Sequence, residues 1–449
     1  MADVTLNPSF PQNEVDLAKQ NAIQGLDFQR SQPAFLAEEQ MDKKIWGDHP
    51  YGNTSETKET ISAITRDKLV SYHKQMFIPN NAVLVIVGNV DKTKISNDVA
   101  KLFGNWKSGT AIRGSSAAPP NRTQKTLTIV NRDGSSQSNI VMGNVAIKRN
   151  DPDFFPVLVL NQVYGAGPSS RLFMNLREEK GYTYGAYSNL DLRLAAGSFG
   201  ATAEVRNEVT GASVKEFFAE MDKIRNTPVP AQELADAKNY LTGIFPIQLE
   251  TMDGLLNQIV RIQMHNLSPT YLQNYRDKIN AVTSADVQRV AQKYITPDKI
   301  AVVIVGDAGE ILKQSKPYFT NIEIFDADGK KLEAASFEAN ASAGASVNVT
   351  GKWELAMQAM GQNLPITLDL KQEGDKVTGE LNAGLLGKGS VENGKVSGNK
   401  FTGSAKMAFQ GQQLNLKIVG IIDGENMKGS VDAGIPGAPA FAFSGKKAK

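Results

Sequence analysis

Two stretches of this sequence repeat each other without a gap, and the repeat constrains the fold more than any other feature. Residues Ile64–Gly88 (ITRDKLVSYHKQMFIPNNAVLVIVG) align with Val282–Gly306 (VTSADVQRVAQKYITPDKIAVVIVG) at an offset of 218 residues. Each copy has the pattern of an amphipathic helix, a turn that contains proline, and a buried strand that ends in glycine. The sequence therefore predicts a duplicated α/β unit.

An earlier match supports the same duplication at an offset of 219 residues. The identical pairs are Pro11/Pro230, Glu14/Glu233, Ala18/Ala237 and Lys19/Lys238. The second copy begins near Thr126, where TLTIVN is typical of a first strand. The corresponding start of the first copy falls about 93 residues before Met1. We therefore expect a first α/β unit that is incomplete at its N-terminus, followed by a whole second unit.

The predicted elements of the two units are helices and strands of ordinary length. In the first unit we expect helices at Gln12–Gln29, Gln32–Lys44 and Arg66–Met76, and a strand at Ala82–Val87. In the second unit we expect strands at Thr126–Asn131, Ser138–Ile147, Tyr184–Leu194, Gly197–Val205 and Ile300–Val305. Its predicted helices are Asp151–Val163, Ser170–Lys180, Asn207–Arg225, Ala231–Pro246, Met252–Met264, Pro269–Lys278 and Ser284–Lys293. The mixture predicts an α+β fold of two sandwich-like α/β units.

The chain changes character after Gly306. Ala334–Val347 is rich in Ala and Ser and is typical of a linker. Thr350–Lys446 alternates apolar and polar residues in short runs separated by glycine-containing turns, such as Glu373-Gly-Asp, Asn393-Gly and Asp423-Gly. This pattern predicts an all-β barrel or meander. The predicted domains are residues 1–112, 113–325, a linker at 326–348, and 349–449.

Composition excludes several kinds of function. The 49 basic and 47 acidic residues nearly cancel, which gives no basic face for a nucleic-acid partner. Cysteine is absent, and the three histidines, His49, His73 and His265, are too far apart in sequence for two to share a helical turn. The longest apolar runs have the length of buried strands, so we expect no membrane span. The first residues have neither the basic nor the apolar region of a signal peptide, so we expect none in the sequence as written.

Several motifs carry a resemblance to a known family. Pro168–Ser188 (PSSRLFMNLREEKGYTYGAYS) resembles the signature of the second domain in the insulinase/pitrilysin family of zinc peptidases. GDHPYG at 47–52, FGNW at 103–106 and NPSFPQNE at 7–14 are similar to that family too. The resemblance covers roughly residues 1–330. It implies the bacterial subunit type, in which two homologous α/β domains enclose a chamber.

The resemblance also bears on zinc. The family binds zinc through His-x-x-Glu-His on one helix and a Glu on a later helix. The first motif does not occur in this sequence, and its place would fall in the segment before Met1. On the later helix, the family position falls at Gly25 or Leu26, with Asp27 as the only acidic candidate after a shift. The resemblance therefore implies a non-catalytic subunit with no catalytic residue, no metal ligand and no cofactor of its own; zinc would lie in a partner or in the missing segment.

In such a subunit, the resemblance gives substrate-binding roles to Arg177 and Tyr184. A guanidinium can bind a substrate carbonyl or carboxylate, and a phenol can donate to a developing oxyanion. Spacing alone favours other roles: Arg177 as a solvated cation at a helix end, and Tyr184 as a strand residue in core or cross-strand packing. Arg171 is a third candidate for substrate contact, and its alternative is a surface residue at a helix N-terminus.

Three functional hypotheses follow. The first is an accessory subunit that positions a peptide in a chamber shared with a zinc-binding partner. The second is the C-terminal portion of a catalytic zinc metalloendopeptidase. The third is a non-enzymatic binding or scaffold protein that acts through the C-terminal β domain. The resemblance favours a periplasmic or cell-envelope location.

Overall fold

The computed structural model describes residues 1–111, 118–337, 347–359, 362–384, 387–409, 412–432 and 441–448. The chain forms two compact bodies. The α/β body comprises residues 1–130, 137–305 and 314–322, and the barrel body comprises 131–136, 306–313 and the chain from 323 onwards. The predicted boundary after residue 112 and residues 338–346 of the predicted linker lie outside the described residues.

Residues 1–111 are helical with irregular connections. The helices are α1 (Ala2–Leu6), α2 (Gln12–Ser31), α3 (Pro33–Trp46), α4 (Lys58–Ser62), α5 (Arg66–Met76) and α6 (Lys92–Phe103). The three predicted helices are confirmed as α2, α3 and α5. Gln32 is extended and separates α2 from α3, because Pro33 disfavours helical geometry in the residue before it and starts the next helix itself.

The predicted strand at Ala82–Val87 is wrong. These residues form no strand, and Val83, Leu84 and Ile86 are 61%, 45% and 44% exposed. A strand exists only where neighbouring chain satisfies its backbone N–H and C=O groups. Within the described residues, no strand is paired with this segment. An apolar sequence with strand propensity is therefore left as exposed irregular chain.

The second unit folds as predicted, with small shifts of its boundaries, except that the predicted helix Ser170–Lys180 is α-helical only over Arg171–Phe173 and continues as a π-helix. Its strands are β1 (Thr126–Asn131), β2 (Gln137–Ala146), β3 (Thr183–Leu192), β4 (Gly197–Arg206) and β5 (Ala301–Gly306). Its helices are α7 (Phe154–Tyr164), α8 (Arg171–Phe173), α9 (Thr210–Asn226), α10 (Ala231–Leu249), α11 (Met252–Met264), α12 (Tyr271–Asn280) and α13 (Ser284–Tyr294). The strands are ordered β3-β4-β2-β5-β1, so the fully buried β5 lies between β2 and β1.

The structure reproduces the repeat in hydrogen bonds as well as in elements. Thr65 and Thr283 are equivalent in sequence, and each caps the N-terminus of its helix, α5 or α13, with its side-chain oxygen. Lys19 Nζ donates to the carbonyl oxygen of Ser62 at 2.8 Å. Its counterpart Lys238 donates to the carbonyl oxygen of Asn280 at 2.9 Å. In both units, the equivalent lysine therefore joins its helix to the chain just before the repeated segment by the same hydrogen bond.

Helix α3 covers part of the second unit's sheet. Gly143 of β2 pairs with Gly200 of β4, so both face the same side, and Phe199 faces the other. The Phe199 ring contacts Tyr164 of α7, with 5.6 Å between ring centroids. A Cβ atom on Gly143 would lie 3.3 Å from Met41 Sδ of α3. Helices α3 and α7 therefore pack on opposite faces, and a glycine at 143 allows the close approach of α3.

Before the barrel strands, the chain forms α14 (Ala308–Ser315) and a hairpin of β6 (Ile322–Phe325) and β7 (Lys331–Leu332). Eight antiparallel strands then form a closed barrel in the order β10-β11-β12-β13-β14-β15-β8-β9. These strands are β8 (Gly351–Ala359), β9 (Gln362–Glu373), β10 (Lys376–Asn382), β11 (Lys388–Ser397), β12 (Lys400–Phe409), β13 (Gln412–Asp423), β14 (Asn426–Asp432) and β15 (Phe441–Lys447). The barrel prediction is confirmed.

One turn predicted in the barrel is wrong. Asn393-Gly394 lies inside β11 and not between two strands. The register of β11 against β12 shifts between Glu392 and Lys395, and Asn393 has a left-handed φ of 51°. The Asn-Gly pair therefore forms a β-bulge, which needs the same positive φ as a tight turn.

Candidate functional site

Arg177 and Tyr184 occupy two irregular pieces of backbone that follow each other in the chain. Arg177 belongs to a π-helix, Met174–Glu179, that continues α8. Tyr184 lies in β3 where its register against β4 shifts between Thr183 and Ala186. A π-helix and a β-bulge both re-aim side chains relative to regular structure, and both are enriched at functional sites.

Both side chains face solvent. Tyr184 is 89% exposed, and its hydroxyl makes no hydrogen bond with the described residues. The Arg177 side chain is 46% exposed and makes a loose ion pair with Glu178, with 3.4 Å between Nε and Oε1. The guanidinium also stacks over the Phe173 ring at 4.8 Å. The two groups do not contact each other in the described part of the chain, and both are free to meet a ligand.

Arg171 has a partner that the sequence does not predict. Its Nε and Nη2 atoms donate to Oε1 and Oε2 of Glu233, each at 2.7 Å. These hydrogen bonds raise the pKa of Arg171, so the guanidinium stays charged. Glu233 is identical to its counterpart Glu14 in the repeat, but nothing in the sequence predicts its contact with Arg171, because the two residues are 62 positions apart and lie on different helices. Substrate contact by Arg171 stays a prediction.

An open cavity of about 550 Å³ lies beside these residues. It is lined by Arg171, Met174, Asn175, Glu178, Glu179, Glu220 and Lys223. Asn175 Nδ2 donates to Glu220 at 2.8 Å and to Glu216 at 3.0 Å, and Lys223 donates to Glu220 at 2.7 Å. The cavity lining therefore combines three carboxylates, those of Glu178, Glu179 and Glu220, with two cations, Arg171 and Lys223.

The positions considered for zinc have other roles. Leu26 is buried, and Asp27 forms an ion pair with Lys58, with 2.6 Å between Oδ1 and Nζ. His49 is buried, and its Nδ1 accepts a hydrogen bond from the Tyr51 backbone N–H at 3.1 Å. Among the residues that the structure describes, no group of three or more His, Asp or Glu side chains is placed to share a metal ion.

The helices in the described part of this chain do not have the character of membrane spans. None in the described ranges combines the length and apolar character that crossing a bilayer requires.

Comparison with known proteins agrees with the fold and with the motif. Residues 63–241 match the family model described as the peptidase M16 inactive domain. An uncharacterized zinc protease of Mycobacterium leprae is 26% identical over 68% of this chain and 69% of the relative. An uncharacterized zinc protease of Bacillus subtilis is 22% identical over 69% of this chain and 75% of the relative.

Solved structures give the same result. The crystal structure of a peptidase M16 inactive domain from Pseudomonas fluorescens superposes with a TM-score of 0.63, at 25% identity, over 68% of this chain and 73% of that one. A protease from Helicobacter pylori superposes with a TM-score of 0.63 over 66% of this chain and 73% of that one. At 20% identity, this similarity is one of fold. The family resemblance predicted from the sequence is confirmed: residues 63–241 of this chain match the peptidase M16 inactive domain.

Proposed function

We propose that this chain is the non-catalytic subunit of an M16-type zinc peptidase and that Arg177 and Tyr184 bind peptide substrate. The observation that carries the proposal is the position of these two side chains. One lies on a π-helix and the other at a β-bulge, and both are exposed. A structural arginine or tyrosine would be expected to have closer partners.

The proposed chemistry divides between two subunits. The catalytic partner supplies zinc and the general base, and the metal lowers the pKa of the attacking water. In this chain, the Arg177 guanidinium binds a carbonyl or carboxylate of the peptide, and the Tyr184 hydroxyl donates to the oxygen on which charge develops. The absence of a carboxylate at Gly25 and Leu26 on α2 supports the non-catalytic assignment.

The test is a reconstituted pair of this chain and a partner that carries His-x-x-Glu-His. We expect low peptidase activity for this chain alone and peptide cleavage by the pair. Tyr184→Phe should lower kcat about tenfold or more, because it removes one donor to the oxyanion. Arg177→Ala should mainly raise KM, because the arginine binds the substrate equally well in the ground state and in the transition state.

Matched variants control for surface effects. Tyr240→Phe changes a tyrosine that is 55% exposed, and Arg206→Ala changes an arginine paired with a neighbouring glutamate, as Arg177 is. Both should leave turnover unchanged. Unchanged kcat in Tyr184→Phe together with unchanged KM in Arg177→Ala would remove the proposed roles. Stoichiometric zinc in the full gene product would instead favour the catalytic alternative.

A further inference from the structure

A second cavity, of about 610 Å³, lies within the α/β body among α7, α10, α11, α12 and β3. Its volume falls in the range of roughly 300–1,000 Å³ that is typical of small-molecule sites. Part of its lining is apolar or aromatic, including Leu158, Leu241, Phe245 and Tyr275. Arg171, Arg177 and Tyr184 do not line it, so it is separate from the site proposed above.

One cation in this cavity is almost fully buried. Arg149 is 5% exposed, and its Nη2 donates to the Tyr271 hydroxyl at 2.7 Å. Its guanidinium carbon lies 3.7 Å from the centre of the Phe154 ring. The other guanidinium nitrogens make no hydrogen bond with the described residues. A buried charge without a counter-ion is costly, so an anion that enters the cavity is attracted strongly.

A second cation faces the same space. Arg261 of α11 lines the cavity, and its side chain makes no ion pair or hydrogen bond in the part of the chain that the structure describes. Burial, and then the charges of Arg149 and Arg261, lower the pKa of His265, which also lines the cavity. The charges of both arginines therefore reach the cavity wall.

The cavity holds little negative charge to offset them. Asp191 is the one carboxylate among its lining residues, and its Oδ2 already accepts from Arg193 Nε at 2.6 Å. The lining thus combines two arginines free of carboxylate partners with an apolar wall. This combination suits an anion that has an apolar body, more than a fully hydrated inorganic ion.

We propose that this cavity binds a carboxylate ligand with an apolar body. Arg149 and Arg261 bind the carboxylate, and the wall that includes Phe245 and Tyr275 contacts the apolar part. The carboxylate belongs either to the C-terminus of a peptide or to a small free acid, since both present the same group. The proposal does not depend on the peptidase role, because it uses other residues and a binding readout.

The test is titration calorimetry with the full chain and three probes. These are N-acetyl-Phe-Leu as the free acid, the same dipeptide as its C-terminal amide, and 3-phenylpropionate. The variants are Arg261→Gln, which removes an exposed cavity cation, and Arg149→Lys, which keeps the charge but not the forked geometry. Arg276→Gln on α12 is the matched control, because Arg276 is exposed and does not line the cavity.

We expect saturable binding of at least one acid probe and at least about tenfold weaker binding of the amide, because the amide lacks the negative charge that the two arginines bind. Arg261→Gln should weaken acid binding by a similar factor, and Arg276→Gln should not change it. Tighter binding of the dipeptide acid than of 3-phenylpropionate identifies a peptide terminus; the reverse identifies a small acid. Equal binding of acid and amide, no effect of Arg261→Gln, or no binding of either acid would overturn the proposal.

Discussion

Ile304 is fully buried in the central strand β5, whereas Ile86, its equivalent in the repeat, is 44% exposed. The two residues have the same neighbours in sequence, Val-Ile-Val-Gly from Val85 and from Val303. The difference therefore arises from the strands beside them and not from local propensity.

This pair gives a stability test with a built-in control. Ile304→Ala should lower the free energy of unfolding by about 2–5 kcal/mol, because it leaves a cavity in a packed sheet. Ile86→Ala should cost less than about 1 kcal/mol, because the side chain already meets water. Urea denaturation of both variants checks this. Equal losses would show that the segment around Ile86 is packed in solution.

Asp153 should make the stability of the α/β body depend on pH. Burial alone would raise the pKa of Asp153, but the hydrogen bonds from Lys293, Tyr294 and Arg289 outweigh burial and lower it to about 2. A depressed carboxyl pKa stabilises the fold above the unfolded value of about 4. This stabilisation is lost as the pH falls from about 4 to about 2.

The test compares the pH dependence of unfolding in two variants. Asp153→Asn should lower the free energy of unfolding by about 1–2 kcal/mol at pH 7. The variant should also lose less stability than the wild type as the pH falls from about 4 to about 2. Asp298→Asn, at an exposed carboxylate with no hydrogen bond in the described ranges, should do neither. A similar acid profile for wild type and Asp153→Asn would contradict the prediction.

Replacing Glu233 separates two roles for Arg171. Glu233→Gln removes the carboxylate that holds both nitrogens of the guanidinium. If Arg171 is structural, the variant should lose about 1–3 kcal/mol of stability with an unchanged KM for peptide in the reconstituted pair. If Arg171 contacts substrate, its release should alter KM as well. Thermal unfolding of Glu233→Gln and its KM in the reconstituted pair distinguish these two outcomes.

The bulge in β11 predicts an unusual response at Asn393. Its φ of 51° is left-handed, a conformation that Asn tolerates and Ala does not. Asn393→Ala should destabilise the barrel by about 1 kcal/mol, and Asn393→Gly should be neutral or slightly stabilising. Gly374→Ala is a control for strain alone, since a Cβ there meets no atom within 4 Å at a φ of 67°. Thermal melting of the full chain checks all three.

Much of the fold could be predicted from the sequence where local signals decide the structure. Helices α5 and α11 and strand β1 have the predicted bounds, because amphipathic period, threonine caps and β-branched runs act over a few residues. Residues 82–87 could not be predicted, since a strand depends on partners elsewhere. The Asn393-Gly394 pair predicts a turn but forms a β-bulge, because both structures need a positive φ.

The candidate site could be predicted only in part. The motif around Arg177 and Tyr184 identified the family, but not the π-helix or the bulge, which depend on hydrogen-bond register. The partner of Arg171 and the cavity of Arg149 and Arg261 arise from residues far apart in the chain. No periodic pattern links such residues, so only the tertiary structure brings them together.

The central place of β5 has a consequence for how the chain is made. Its two neighbours, β1 and β2, are complete by residue 146, yet the strand that joins them ends at Gly306. A growing polypeptide therefore holds two apolar strands apart, with unpaired edges, while about 160 further residues are synthesised. We expect ribosome-bound chains that end before residue 301 to need chaperones, and protease resistance to arise only after β5 has emerged.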